Sequence, residues 1–204
     1  GGNLGTENPE GLVHAEMERY IRKAYQQHAN EFEYTGKEYK GIKYIWTPYK
    51  AAYDCSEGDG YALLAAAYMA DKVTFDGYWM ATHDKRRVHT KRYSDCSDNA
   101  PNYEFGKFAI SDGADEGGNT AADGDVDVAL ALYVAYKQWG EFMLDEKGEK
   151  VLDACGNPIS YKQEMINVIR GLVAMTNMDA GKNPARVNTG IIGLDGYPRG
   201  GDTW

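Results

Sequence analysis

The pattern of apolar residues predicts an all-α protein built from helical hairpins. Apolar side chains recur at three- and four-residue spacing over long stretches, and the alternation expected of a half-buried strand is scarce. Two stretches, 61–69 and 126–136, are apolar nearly all round, which marks helices covered on most faces. Long Gly- and Asp-rich segments separate the helical stretches, as loops between stacked elements would.

The first helix is expected over 12–32, with Leu12, Ala15, Tyr20, Ile21, Ala24, Tyr25 and His28 on one face. The second follows Ser56 and carries Tyr61, Leu63, Leu64, Tyr68 and Met69 around a run of alanines. A third, over 74–85, holds Phe75, Tyr78, Trp79, Met80 and Ala81, and a fourth covers 125–139. The fifth opens with Ser160 and Gln163, a capping-box pair, and continues through Ile166, Ile169, Leu172 and Val173. Segments 90–120 and 177–204 read as loops of about 30 residues, well above the usual length, and loops of that size commonly carry function. In stacked hairpins alternate helices run parallel, so the loops entering the second and fourth helices are expected at one rim.

Composition narrows the function. The 204 residues suit one domain or part of a larger one, and 43% hydrophobic with 26% charged residues excludes general disorder. With 22 Lys+Arg against 31 Asp+Glu, the net charge of −9 argues against nucleic acid, whose binding needs clustered cations. The basic residues of 85–92 are interrupted by Val88, His89 and Thr90 and read as a solvated loop. No window is long and apolar enough to span a bilayer, so no membrane partner is expected. The first residue is Gly1 rather than Met, and localisation cannot be read from it. Cys55, Cys96 and Cys155 form no CxxC pair, and His14, His28, His83 and His89 no HExxH, so neither a metal nor a cofactor is expected. Odd parity leaves at least one free thiol, and one disulfide can form.

The informative feature is acidic. Ser56-Glu57-Gly58-Asp59-Gly60-Tyr61 opens the second helix, and Asp123-Gly124-Asp125-Val126-Asp127 opens the fourth. Capping and dipole compensation account for one acid at each start, but not for the surplus. The glycines between the acids would let a ligand approach the backbone. Two carboxyl groups on one rim among Tyr and Trp is the arrangement glycosidic bond cleavage uses: one protonated to serve the leaving oxygen, one ionised to activate water.

These residues carry a family resemblance. The run from Ser56 to Ala65 looks like the SEGxGYGMLLA segment of glycoside hydrolase family 8. Ala121-Ala122-Asp123-Gly124-Asp125, running on to Ala135 and Trp139, resembles that family's A-[ST]-D-[AG]-D signature with its closing A-x-x-x-W. The segment 72–79 is similar to the helix that follows the acid motif, and the likeness continues weakly to 197–204. It implies an (α/α)6 barrel, here an incomplete part of one, with 1–204 as the N-terminal part of a single catalytic domain. It implies an inverting, endo-acting hydrolase of β-1,4-linked glycans that is secreted or periplasmic. By position Glu57 takes the general acid's place and Asp123 that of the acid holding the distorted sugar, with Tyr61, Asp125 and Trp204 as substrate-binding residues.

Ala122, Val128 and Tyr133 depart from the family's preferred residues without touching the acids, and the main departure is that the general base belongs to an Arg-Pro-Trp-type segment that does not occur before Trp204. Twelve helices of about 12 residues with their loops do not fit in 204 residues, so the rest of the barrel is expected elsewhere, as another chain if need be. Such a part would expose apolar faces of its inner helices. Cellulose-like or mixed-linkage β-glucan is the expected partner, with chitosan or xylan behind it. A glycan-binding protein without hydrolytic activity is the alternative.

Overall fold

A computed structural model describes the backbone of residues 10–46, 56–86, 92–95 and 122–176, and the side chains of 14–46, 57–84, 92–95 and 124–170. The chain divides into two compact units, residues 1–33 and 34–204. The first holds α1 (Glu10–Ala29), a polar helix with i,i+3 and i,i+4 ion pairs from Glu16 to Arg19 and from His14 to Glu18. It ends where the His28 ring meets Phe32 edge-on.

The second unit begins with strands where none were expected. β1 (Glu33–Tyr39) and β2 (Ile42–Trp46) form a two-stranded hairpin. Its turn is Lys40-Gly41, both at positive φ, the two-residue geometry whose twist matches the flanking strands. Only Tyr44 is fully buried in β2, so the alternation is too weak to read in advance. The hairpin lies on α3 (Lys72–Arg86) at Gly77, where a Cβ would run into the Lys43 carbonyl and within 2.9 Å of Ile45.

α2 (Ser56–Tyr68) and α3 form the first hairpin of helices. The end of α2 is a Schellman motif: the Asp71 amide donates to the Ala66 carbonyl at 2.9 Å and the Ala70 amide to Ala67 at 3.1 Å. Ala70 sits at φ 57°, where glycine is usual. Asp71 then caps α3, accepting from the Thr74 amide at 3.1 Å and the Thr74 hydroxyl at 2.8 Å.

α4 (Ala122–Trp139) and α5 (Tyr161–Thr176) pack together and are joined by a ribbon of turns. The ribbon is an eight-residue repeat, Leu144-Asp145-X-X-Gly148 followed by Leu152-Asp153-X-X-Gly156. In each copy one Asp oxygen accepts two amides, from Lys147 and Glu149 in the first and from Cys155 and Asn157 in the second. The Glu149 backbone amide, helped by the amide and charge of Lys147, holds the Asp145 carboxyl below its usual range against an opposing desolvation. The repeat brings Met143, Val151 and Ile159 into a closed ring: each donates its amide to the next one's carbonyl, at 2.9 to 3.0 Å, and all three side chains are buried. Ser160 caps α5 through the Gln163 amide as expected, while the Gln163 side chain reaches forward to Asn167 rather than back.

Candidate active site

α2 and α4 lie side by side and parallel. Near their starts, a Cβ on Gly60 would fall 2.7 Å from the Asp127 Cβ and 3.3 Å from the Gly124 carbonyl. Near their ends, the Gln138 side-chain Nε2 donates to the Ala67 carbonyl at 2.6 Å. The two acidic helix starts therefore meet at one rim, as the hairpin argument requires.

Glu57 lies in the first turn of α2 and is half-buried. One turn on, the Tyr61 hydroxyl donates to Glu57 Oε1 at 2.8 Å, and the tyrosine is 55% exposed. Asp59 and Asp125 are 4% and 1% exposed, far less open to solvent than Glu57. Asp123 is within the first turn of α4, but its side chain lies outside the described residues, as do Trp204, Cys55 and most of the two long loops. Gly58 is exposed and can admit a ligand, whereas Gly60 and Gly124 are buried. The expectation that every glycine here clears space for a ligand is thus corrected: Gly60 is small because two helices cross against it.

Two further buried carboxylates escaped the sequence reading. Asp84, near the end of α3, accepts from the Tyr44 hydroxyl at 2.7 Å, the Ser94 hydroxyl at 2.6 Å and the Tyr93 amide at 2.7 Å, and meets His83 Nδ1 at 3.1 Å. Burial pushes its acidity down, but the His83 hydrogen bond and charge, helped by Ser94 and Tyr44, outweigh it and bring the pKa to about 2. Burial first, and then the hydrogen bond and charge of Asp84, raise the pKa of Tyr44, with Ser94 opposing. The His83 ring stacks on Tyr93 at 3.5 Å between centroids, and Trp79 donates to the Tyr93 hydroxyl at 3.2 Å. Asp76, near the start of α3, takes Lys72 at 2.5 Å and the Tyr161 hydroxyl. Burial raises its pKa, and Lys72 and Tyr161 only partly offset that. Both carboxylates tie elements together. Asp76 links α3 to α5, and Lys72 also reaches the Leu144 carbonyl of the ribbon at 2.9 Å.

Cys155 is disulfide-bonded, its partner lying outside the described residues. Among the described residues no group of three or more His, Cys, Asp or Glu is placed to hold a metal ion. None of the described helices is long and apolar enough to cross a membrane.

Comparison with known proteins gives the family and the fold. A family model described as glycosyl hydrolases family 8 matches residues 37–187, which includes both acidic helix starts. The fold is similar to an apo structure of β-1,3-1,4-glucanase from Paenibacillus sp. X4, with 18% identity and a TM-score of 0.51, over 82% of this chain and 38% of that one. It is equally similar to a reducing-end-xylose releasing exo-oligoxylanase, with 19% identity and a TM-score of 0.51, again over 82% and 38%. This chain therefore spans well under half the length of either. No curated protein matches it.

Proposed function

Because the chain belongs to glycosyl hydrolases family 8, and its helices make up part of that family's (α/α)6 barrel, we propose that its acidic rim serves inverting, endo-acting hydrolysis of β-1,4-linked glycans. The observation that supports this reading is the close approach of α2 and α4 at Gly60, which brings the acidic starts of both helices to one rim. Glu57 is the general acid. It is half-buried rather than enclosed, so it can meet a glycosidic oxygen while a Tyr hydroxyl steadies it. Asp123 holds the distorted sugar beside the scissile bond and Trp204 lines a subsite, whereas Asp125, expected to bind substrate, is 1% exposed and serves the packing of the helix starts instead. The base is a carboxylate supplied from outside these 204 residues, by the remainder of the barrel.

Mixed-linkage or cellulose-like β-glucan is the preferred substrate, with xylan and chitosan behind it. The two similar structures, a β-1,3-1,4-glucanase and an oligoxylanase, favour neutral glycans over a cationic one. The disulfide at Cys155 supports an exported protein, because such bonds persist in oxidising compartments.

The enzyme containing this chain, given a panel of soluble β-glucan, xylan and chitosan, is expected to release new reducing ends from a β-glucan. Glu57→Gln should lower that rate by about two orders of magnitude or more with the fold intact by circular dichroism. Undiminished release by Glu57→Gln would refute the assignment. Glycan binding by calorimetry with no new reducing ends would favour a binding protein instead.

A further inference from the structure

We propose that Tyr61 is a positioning residue for the general acid rather than a sugar-binding one: its hydroxyl holds Oε1 of Glu57, which leaves Oε2 to carry the proton that is transferred. This rests on the assignment of Glu57 above. The geometry comes from the helix itself. Side chains on a helix lean towards its N-terminus, so a tyrosine four residues on lies over the first turn, where Glu57 sits. The resulting hydrogen bond of 2.8 Å is made with the tyrosine as donor when Glu57 is ionised, and a carboxylate offers only acceptors.

A glutamate in the first turn of a helix has freely turning torsions, and a proton on either oxygen would be aimed differently in each rotamer. Fixing Oε1 removes that freedom. In the hydrolytic step the Oε2–H bond breaks as the leaving sugar oxygen takes the proton. The C1–O bond to that oxygen breaks while a water oxygen bonds to C1, the base removes the water's proton, and Glu57 is left as a carboxylate. Tyr61 keeps its hydrogen and its bond to Oε1 throughout, and Glu57 is reprotonated from solvent. An i,i+4 pair on a helix surface would otherwise add only a little helix stability, and a sugar-stacking tyrosine would act on affinity. These roles separate by leaving group, because a general acid matters only when the leaving oxygen needs a proton.

The test uses the enzyme containing this chain and two substrates: the polysaccharide that it cleaves, and the dinitrophenyl glycoside of the matching oligosaccharide, whose leaving group departs without protonation. For Tyr61→Phe, kcat on the polysaccharide is expected to fall about tenfold to a hundredfold, as for a misplaced catalytic group. KM should stay within about twofold, and the dinitrophenyl glycoside should be cleaved within about twofold of the wild-type rate. A rise in KM, an equal loss on both substrates or no loss at all would overturn the positioning role. Glu57→Gln measured alongside separates the two ideas. If it retains full activity the assignment of the acid fails and this role with it; if it is inactive while Tyr61→Phe departs from expectation, only the role of Tyr61 fails.

Discussion

Gly60→Ala tests whether the crossing of α2 and α4 builds the site. The new methyl would lie 2.7 Å from the Asp127 Cβ, while ordinary contact begins at 3.4 Å, so the helix starts must separate by about 0.7 Å. The Gly124 carbonyl at 3.3 Å closes the other way out. Overpacking of this size costs about 1 to 3 kcal/mol, or about 2 to 4 °C in Tm per kcal/mol for a chain of this length. The functional loss should be larger than the structural one. Glu57 stands one turn before Gly60, and a misplacement of about 1 Å between reacting groups costs about a hundredfold. Thermal melting and kcat/KM on the preferred glycan are the readouts. A second variant makes the mechanism specific: Asp127→Gly removes the atom that the methyl strikes. The Gly60→Ala/Asp127→Gly pair should lose less than the sum of its single variants, with a coupling of about 1 kcal/mol or more. Strict additivity, or a Gly60→Ala protein with unchanged activity, would refute the reasoning.

Two other predictions concern the frame behind the rim. Asp84 has a folded pKa of about 2 against 3.8 in the unfolded chain, so its contribution is complete above pH 3.8 and is lost as pH falls through 2. That amounts to about 2 kcal/mol, and chemical denaturation of wild type should show this decline between pH 4 and 2, while Asp84→Asn should lack it. Asp76 acts in the opposite sense, since its raised pKa means that protonation relieves a burial cost, which is why the Asp84→Asn difference is the quantity to measure. Ala70 occupies a left-handed position at φ 57° that costs a side chain about 1 kcal/mol, so Ala70→Gly should raise stability by about that much in urea unfolding. A destabilised Ala70→Gly would show that the Schellman turn is not strained.

The helices were legible because their periodicity is long and their caps are chemical. Ser160 before Gln163 announced α5, and the apolar runs announced α2 and α4. The hairpin over 33–46 was not, since β1 is mostly exposed, β2 has only Tyr44 fully buried, and its turn, Lys40-Gly41, is a two-residue signal inside a Lys- and Tyr-rich stretch. The ribbon was visible in principle as the repeat of Leu-Asp-X-X-Gly at a spacing of eight. That period is neither helical nor strand-like, so a search for 3.6 or 2 passes over it. Asp76 and Asp84 were hidden for another reason: Tyr161 and Tyr44 lie 85 and 40 residues away in sequence, and Ser94 lies beyond the end of the helix that carries Asp84.

Parallel packing of α2 and α4 changes what the surplus of acids means. One acid per helix start satisfies capping, but two parallel helices place two positive dipole ends side by side, and their mutual repulsion calls for more negative charge than either end alone. Asp59 and Asp125, nearly inaccessible beside the crossing at Gly60, answer that need from within the packing. An excess of acids at the rim therefore follows from the architecture of the barrel and is not by itself evidence of chemistry. Access and a fixed geometry are what chemistry adds. Glu57 has both, through its half-buried position and the hydroxyl of Tyr61. Replacing Asp125 by Asn should accordingly weaken the crossing first, whereas replacing Glu57 by Gln should leave the fold and remove the reaction.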